Sequence, residues 1–218
     1  NPIFITRDLF SNNQVYGIIN AIDEEHLFSF FEKNNDSMKD YFENQFSIRG
    51  NKFLFENRNL TDFEDSLKHN YRWSIKIPWG WEVIKEIPNE NFIWIGNQYP
   101  YRWLSVKWKN GNLINDKLAM GKEIWDFPKQ YYKNIRFNDY KFNFKIGNLN
   151  TYKSWVCSGV WESIDSSEAK GGPFQSFVFY DHNTDRTFHI NTLVHNPGEN
   201  KALYIRQMKL VAKSFKSY

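Results

Sequence analysis

The sequence has a single cysteine, Cys157, and no apolar run long enough to span a bilayer. One cysteine excludes an intrachain disulfide, which fits a reducing compartment or a secreted protein that folds without such cross-links. A membrane-spanning helix needs about 18 consecutive apolar residues, and no segment reaches that length. The first residues show no signal peptide and no lipid-attachment cysteine, and Ile3 to Asp8 look like the middle of an element. We therefore expect Asn1 to be an internal or processed start.

An excess of charge of one sign is also lacking. The 28 Lys and Arg residues nearly balance the 25 Asp and Glu residues, and the formal net charge is +3. Nucleic-acid binding domains concentrate positive charge to neutralise phosphates. The near balance of charge therefore favours no nucleic-acid partner.

Aromatic residues, by contrast, are abundant. They make up 19% of the chain, with 20 Phe, 12 Tyr and 9 Trp. We expect most of these rings to fill the core and the faces of a sheet, and the remainder to lie at surfaces and interfaces. At 218 residues, the chain has room for one large domain or two small ones.

The first part of the chain reads as a strand followed by helices. Residues 14–22 are typical of a strand, and apolar residues at helical spacing predict a long helix from about residue 24 to 46, with Asp23 as its N-cap. A capping box predicts a short helix from Thr61. We assign residues 1–70 to a partial N-terminal unit of a strand and helices.

From residue 71 onward, strand patterns dominate. They come in runs, separated by one helix predicted at 116–132, in which Leu118, Ile124 and Trp125 are candidate core residues. Strands in runs with helices between the runs favour an α+β fold with a mostly antiparallel sheet flanked by helices. We predict that residues 71–218 form this antiparallel α+β domain.

Titratable side chains gather around a predicted hairpin. On a strand over residues 186–195, His189 and His195 share one face. They would lie about 20 Å apart, too far to share one metal ion. We interpret these groups as solvent-facing strand and turn polarity, and we expect no metal and no cofactor. The alternative is an enzyme centred on Asp181, His182 and His189.

Other motifs are better explained by structural roles than by catalysis or ligand binding. Cys157 follows Trp155 and Val156 in a strand pattern, which is typical of a small core residue rather than a nucleophile. Gly171 and Gly172 precede a strand rather than a helix, so they do not form a phosphate-binding loop. Glu162 has no specific acid–base partner in the sequence, which gives little support to a glycosidase.

Tryptophans in the strand-rich part suggest a binding surface. Trp79 and Trp81 flank a turn at Gly80, and Trp103 shares a strand face with Lys107. Exposed rings at these positions would make a platform for a sugar or a protein. The alternative is a second buried layer beneath a helix. The candidate ligand- or partner-binding residues are therefore Trp79, Trp81, Trp103 and Lys107, and no catalytic residue is assigned.

Five short segments of the sequence are distinctive when their order and spacing are taken together. They are Ser74–Pro78, Asn91–Ile95, Gly159–Glu162, Gly172–Phe174 and Arg206–Met208. Together they resemble the Bacteroidetes lipoproteins grouped as domain of unknown function 4837, whose members look like exported lipoproteins with a signal peptide and a lipidated cysteine. The arrangement of elements is also similar to the PsbP/Mog1-like fold.

The resemblance implies a protein of the periplasm or cell surface, anchored as a lipoprotein through a segment outside this chain. We expect a non-enzymatic, envelope-associated accessory subunit that binds another protein. The first alternative is a carbohydrate- or small-ligand-binding module that uses surface tryptophans, with at least two of their rings exposed in one concave patch. A hydrolase is the second.

Overall fold

A computed structural model of the chain describes residues 3–12, 14–56, 60–165 and 167–218. Contacts within the chain define two units, Asn1–Phe53 and Leu54–Tyr218. The sequence prediction placed the boundary near residue 70 instead. The helix that precedes residue 72 falls in the second unit because its Leu67, which is only 1% exposed, is part of that unit's core.

The first unit begins with strands β1 (Ile3–Arg7) and β2 (Val15–Ile19), which pair antiparallel. Helix α1 follows, with bounds Glu24–Phe55. Asp23 caps it as predicted, because its carboxylate accepts a hydrogen bond from the backbone N–H of His26 at 2.9 Å. Many apolar side chains of α1 stay exposed, including Phe28 and Phe42.

The second unit is built on an eight-stranded sheet in which every pairing is antiparallel. Its strand order is β4-β5-β6-β11-β10-β9-β7, and β8 also pairs with β9. The predicted α+β class with a mostly antiparallel sheet is thereby confirmed. The strands are β4 (Glu82–Ile87), β5 (Phe92–Gln98), β6 (Tyr101–Asn110), β7 (Ile135–Phe137), β8 (Asn143–Leu149), β9 (Tyr152–Ser163), β10 (Gly171–Asp181) and β11 (Arg186–His195).

The described part of this unit also contains three α-helices and a two-stranded ribbon. Helix α2 spans Thr61–Tyr71, α3 spans Lys117–Tyr131 and α4 spans Ala202–Lys213. The ribbon pairs β3 (Trp73–Ser74) with β12 (Lys216–Ser217).

Alternation along the strands gives the sheet two different buried faces. On one face, Phe179 and Phe188 meet Phe215, which follows α4. On the other face, α3 lies over the sheet, and its Phe127 is packed with Leu193 of β11 in one buried cluster. The second face also carries buried polar side chains, and the candidate site lies there.

Helix α3 matches the predicted 116–132 segment, but its core side differs from the prediction. Ile124 is fully buried as expected, whereas Leu118 is 84% exposed and Trp125 is 38% exposed. Asp116 caps the helix by accepting hydrogen bonds from the backbone N–H groups of residues 118 and 119. Pro128 lies inside the helix, close to its C-terminal end.

Two of the family-like segments are neighbours in the sheet. In the β9–β10 pair, Gly172 lies opposite Trp161 and Phe174 lies opposite Gly159. The Trp161 indole N–H donates to the carbonyl of Val194 at 3.1 Å. A Cβ atom on Gly172 would overlap that same carbonyl oxygen. This close packing explains why a glycine stands beside the tryptophan.

Candidate functional site

The four predicted binding residues do not form one surface. Trp79 is 75% exposed, but Trp81 and Lys107 are each only 4% exposed. Trp103 is half-buried, with ring centroids 5.2 Å from Trp94 and 6.1 Å from Trp161. The expected exposed platform of Trp103 and Lys107 is therefore absent, because α3 lies over this face of the sheet. The alternative, a buried layer beneath a helix, describes these two residues.

Trp79 is instead part of an exposed pair that we call the aromatic tip, defined as Trp79 and Tyr99. Tyr99 is 82% exposed and lies in the turn between β5 and β6. One side chain, that of Asn97, connects the two turns. It donates to the Gly80 carbonyl at 2.8 Å and accepts from the Tyr99 backbone N–H at 3.0 Å. The aromatic tip is thus held by the fold rather than by a free loop.

The strand beside the aromatic tip is a sheet edge. β4 pairs only with β5 in the sheet order, and its Val83 and Ile84 are 42% and 37% exposed. Its pairing is irregular between Val83 and Lys85, and Glu82 and Glu86 add charge. Bulges and charged residues discourage the addition of a foreign strand. The aromatic rings are therefore the more suitable contact points at this end of the sheet.

A buried polar network lies under α3, on the second face. Tyr132 follows the helix and connects β6 with β11: its hydroxyl contacts that of Ser105 at 2.5 Å and accepts from the Asn191 amide at 3.0 Å. Asn191 in turn accepts from Ser176 of β10. Burial raises the pKa of Tyr132, so this hydroxyl stays protonated.

An ion-pair cluster continues the same face. The Lys107 ammonium lies 2.9 Å from one Glu123 carboxylate oxygen, and the Lys109 ammonium lies 3.1 Å from the other. Lys107 also lies over the Tyr131 ring, 4.9 Å from its centroid. Burial opposes ionisation of Glu123, but hydrogen bonds and charge from the two lysines keep its pKa below the ordinary value.

His189 lies beside this cluster, directly opposite Lys107 in the β6–β11 pair. It is 4% exposed, and its ring is 4.2 Å from that of Phe127. Neither ring nitrogen has a hydrogen-bond partner among the described residues. Burial, assisted by Lys107 and Lys109 and opposed by Glu123, lowers the pKa of His189 to about 3. The ring is therefore neutral at physiological pH.

A crevice of about 20 Å³ opens between these groups, lined among others by Lys107, Lys109, Glu123 and His189. The exposed fraction of the side chains falls from 46% for Lys109 to 26% for Glu123 and 5% for Lys107. The crevice thus runs from an open end at Lys109 to a floor at His189. A volume of this size has room for little more than one water molecule.

The sequence interpretation of His189 as solvent-facing is wrong, because α3 covers its strand face. The alternative catalytic trio is also not assembled. Asp181 lies on the Phe179 and Phe215 side of the sheet, where Thr184 donates to it at 2.6 Å, whereas His189 faces α3. No group of three or more His, Cys, Asp or Glu side chains within the described ranges is arranged to hold a metal ion.

Two other candidates have structural partners. Cys157 is fully buried, and this burial raises the pKa of its thiol to about 12, which leaves it without nucleophilic thiolate. Glu162 accepts hydrogen bonds from Arg136 at 2.8 Å and Asn138 at 3.1 Å. Both residues therefore fit the structural roles that the sequence favours.

Sequence reasoning left Lys107 between an exposed platform and a buried layer, and it treated His189 as surface polarity. Each residue lies on an alternating strand, and alternation alone does not say which face is covered. One signal in the sequence could have located this buried polar face. Ser105 and Lys107 lie two residues apart on β6, and His189 and Asn191 lie two residues apart on β11, so each pair shares one strand face. Aligning the two polar pairs requires the β6–β11 register, which the sequence does not state.

Comparison with known families gives one match. The model of a family described as a domain of unknown function, DUF4837, matches residues 120–214. That range begins within α3 and ends just after α4, so it includes His189 and Glu123. The predicted resemblance is confirmed over this part of the chain. No curated protein matches the sequence.

Solved structures provide distant likenesses of the fold. A crystal structure from Bacteroides thetaiotaomicron matches with 13% identity and a TM-score of 0.42, covering 67% of this chain and 45% of that one. The Saccharomyces cerevisiae Ran-binding protein Mog1p matches with 10% identity and a TM-score of 0.44, covering 67% and 90%.

A third similar structure is LpqN, involved in cell envelope biogenesis of Mycobacterium tuberculosis. It has 8% identity and a TM-score of 0.38, and the match covers 66% of this chain and 81% of that one. The present chain spans less than half the length of the Bacteroides chain it resembles. Across the part of the chain that the structure describes, no helix combines the length and apolar character needed to cross a membrane.

Proposed function

We propose that this chain is a non-enzymatic accessory subunit that binds another protein at the cell envelope through the aromatic tip. The observation that carries the proposal is the exposure of two large rings, Trp79 at 75% and Tyr99 at 82%, on turns joined by Asn97. Exposed Trp and Tyr side chains on well-ordered turns are typical contact residues of protein interfaces.

The aromatic tip has the properties of an interface anchor. Trp and Tyr are enriched among residues that dominate binding energy, since each buries a large area with few rotatable bonds. The Asn97 hydrogen bonds fix the turns before binding, which reduces the entropy lost on association. Val83 and Ile84 extend the apolar area along the neighbouring edge strand.

The envelope location rests on the family resemblance, whose members look like exported lipoproteins. The non-enzymatic assignment is supported by the separation of Asp181 and His189 on opposite faces of the sheet. The carbohydrate-binding alternative required at least two of Trp79, Trp81 and Trp103 exposed in one concave patch. Trp81 is buried and Trp103 is half-buried, so this patch is not formed.

Site-specific photo-crosslinking tests the proposal in cells that produce the protein. A photoreactive phenylalanine analogue replaces Trp79 in one variant and Tyr99 in another. The matched control carries the analogue at Tyr140, which is 87% exposed at a distance along the chain from either turn. We expect one discrete heavier product from positions 79 and 99, recovered in the envelope fraction, and none from position 140.

Binding to the identified partner then provides the quantitative test. Replacing Trp79 and Tyr99 together by alanine should weaken the purified complex by at least about tenfold, because exposed anchors of this kind contribute about 2 kcal/mol or more. Tyr140→Ala should leave the affinity unchanged. Absence of a discrete product, or an equal product from position 140, would refute the proposal.

A further inference from the structure

Helix α1 carries a row of exposed phenylalanines that has no part in the proposed role of the aromatic tip. Because successive residues turn by about 100° around a helix, four of these rings fall within about 60° of one another. Their exposed fractions lie between 40% for Phe31 and 66% for Phe28. We call this set the phenylalanine stripe, defined as Phe28, Phe31, Phe42 and Phe53. Large apolar side chains that line one exposed helix face are typical of an interaction surface.

The unit that contains the phenylalanine stripe lacks a core of its own. Among the described residues that precede Leu54, only Gln45 is buried, and no apolar side chain is. A two-stranded sheet such as β1–β2 is marginally stable by itself, and a long helix in water depends on the packing of an apolar face. A partner that covers the phenylalanine stripe would therefore also stabilise this unit.

The spacing of the four rings fits a second copy of the same helix that runs in the opposite direction. Phe42 lies about 17 Å along the helix axis from Phe53, and about 19 Å from the midpoint of Phe28 and Phe31. In an antiparallel pair with a twofold axis near residue 41, the two Phe42 rings meet at the centre. Phe53 of each copy then fits between Phe28 and Phe31 of the other, as a knob fits a hole. The stripe is thus complementary to itself, as a twofold interface requires.

The charge along α1 favours the antiparallel direction. Residues 24–40 carry five carboxylates and two lysines, whereas residues 42–55 carry one carboxylate and two basic side chains. The formal charges of these two halves are therefore −3 and +1. A parallel pair would place the two acidic halves side by side, while an antiparallel pair places each acidic half beside a basic one.

Lys39 and Glu43 make the same distinction beside the twofold axis. They lie on one flank of the phenylalanine stripe, two residues on either side of position 41. The antiparallel arrangement brings Lys39 of each copy opposite Glu43 of the other, which gives two reciprocal pairs of opposite charge. A parallel arrangement brings each of these side chains opposite its own copy, so like charges meet.

We propose that two copies of this chain associate through the phenylalanine stripe, with their α1 helices antiparallel and a twofold axis near residue 41. The contact is apolar along its centre, with the Lys39 and Glu43 pairs at one flank. It runs for about 38 Å along each helix, from Phe28 to Phe53. Because the contact is only one helix wide, we expect a dissociation constant of about 1–100 μM, weaker than that of an obligate dimer.

Sedimentation equilibrium of the full chain measures this association. We expect the average mass to rise with concentration from 26.3 kDa toward twice that value. Phe42→Asp should weaken association by about tenfold or more, because two carboxylates would be buried against each other at the axis. Ile48→Asp is the matched control: Ile48 is also exposed and lies about 120° around α1 from Phe42, so association should not change. Circular dichroism checks that both variants keep their helix content.

Exchanging the two charges beside the axis tests the pairing without changing the apolar contact. Lys39→Glu should weaken association by about threefold or more, because it places carboxylates opposite each other. The double variant Lys39→Glu with Glu43→Lys restores opposite charges across the axis. Its dissociation constant should return to the natural value, which a merely structural role of either side chain would not produce.

Thiol crosslinking tests the direction of the two helices. The natural Cys157 is buried, so a short thiol-specific crosslinker reports on introduced cysteines. We expect it to join Phe28→Cys chains to Phe53→Cys chains when the two variants are mixed, and to join neither variant to itself. Crosslinking of Phe28→Cys chains to one another would show a parallel pair and would overturn the proposed arrangement.

Three further results would overturn the proposal. The first is a constant mass of 26.3 kDa at concentrations well above the micromolar range, which would mean that something other than a second copy covers the stripe. The second is equal weakening by Phe42→Asp and Ile48→Asp. The third is loss of association when Trp79 and Tyr99 are replaced by alanine, which would place the contact at the aromatic tip. A failure of photo-crosslinking at the aromatic tip would leave the self-association intact, so the two proposals fail separately.

Discussion

His189 combines deep burial with a titratable ring, so its protonation is linked to folding. The pKa of His189 falls to about 3 in the folded chain, below the ordinary value of 6.5. Between these two values the unfolded chain binds a proton that the folded chain does not. Stability from the neutral ring is therefore fully present above pH 6.5 and is lost as the pH falls toward 3.

The expected size of this effect is about 2 kcal/mol of unfolding free energy lost between pH 7 and pH 5. The carboxylates with lowered pKa, such as those of Glu123 and Asp181, lose their contributions at lower pH and stay outside this window. Lys107, Lys109 and Glu123 are the charged side chains that line the same crevice as His189. Urea unfolding at a series of pH values measures the slope.

The variant His189→Phe keeps a planar ring against Phe127 and removes the titrating group. We expect its unfolding free energy to vary by about 2 kcal/mol less than that of the natural chain between pH 7 and pH 5. His182→Phe, on an exposed turn, is the matched control and should retain the natural slope. An unchanged slope in His189→Phe would show that His189 is not the linked group.

The environments of single residues could be predicted only in part from the sequence. Cys157 was correctly assigned to the core, because a small apolar side chain that follows Trp155 and Val156 in a strand is usually buried. His189 was placed in solvent, because polarity normally indicates exposure, and Lys107 was left between an exposed platform and a buried layer. Both lie beneath α3, and only the pairing of β6 with β11 brings them together.

At the scale of secondary-structure elements, the packing of the β9–β10 pair requires glycine at position 172. A side chain at Gly172 would collide with the Val194 carbonyl, which already accepts from Trp161. Gly172→Ala should therefore destabilise the protein by about 1–3 kcal/mol, the usual cost of overpacking. Thermal or urea unfolding followed by circular dichroism measures the change.

Gly121 in α3 is a matched control with the opposite expected sign. A Cβ atom there would meet only a Phe144 ring carbon at 3.7 Å, an ordinary contact. Because alanine favours helix over glycine by up to about 1 kcal/mol, Gly121→Ala should stabilise the protein slightly. If both variants lose stability equally, the close approach at Gly172 is not the cause.

The type of an element was predicted more reliably than the side it buries. Helix α3 occupies the expected segment, since its cap and apolar spacing are local signals. Its buried side follows Met120, Ile124, Phe127 and Tyr131, at the three- and four-residue spacing of one helix face. Leu118 lies about 240° around the helix from Ile124 and points away. Strand β1 was missed, because a five-residue strand carries little pattern.

For the molecule as a whole, the order of strands and helices was enough to predict an α+β fold with an antiparallel sheet. The order β4-β5-β6-β11-β10-β9-β7 was not predictable in the same way. It places β6 next to β11, two strands that are far apart in the sequence, and such long-range pairing depends on closing a large loop rather than on local pattern.

The first residue of the unit that contains the sheet can be tested by comparing the stability of two fragments. Leu54, Phe55 and Leu67 are buried core residues of Leu54–Tyr218, but a fragment of residues 71–218 would lack all three. All nine tryptophans lie between residues 73 and 161, so tryptophan fluorescence reports on this unit alone. We expect a fragment of residues 54–218 to melt cooperatively, within about 3 °C of the full chain.

The shorter fragment, residues 71–218, should melt much lower or fail to fold. It loses helix α2, whose Glu64 carboxylate accepts from the Ile77 N–H at 2.7 Å, together with the buried Leu67. Loss of one buried leucine side chain alone costs about 2–5 kcal/mol. Equal stability of the two fragments would instead place the boundary near residue 70. A non-cooperative melt of residues 54–218 would mean that residues before Leu54 are needed for this unit to fold.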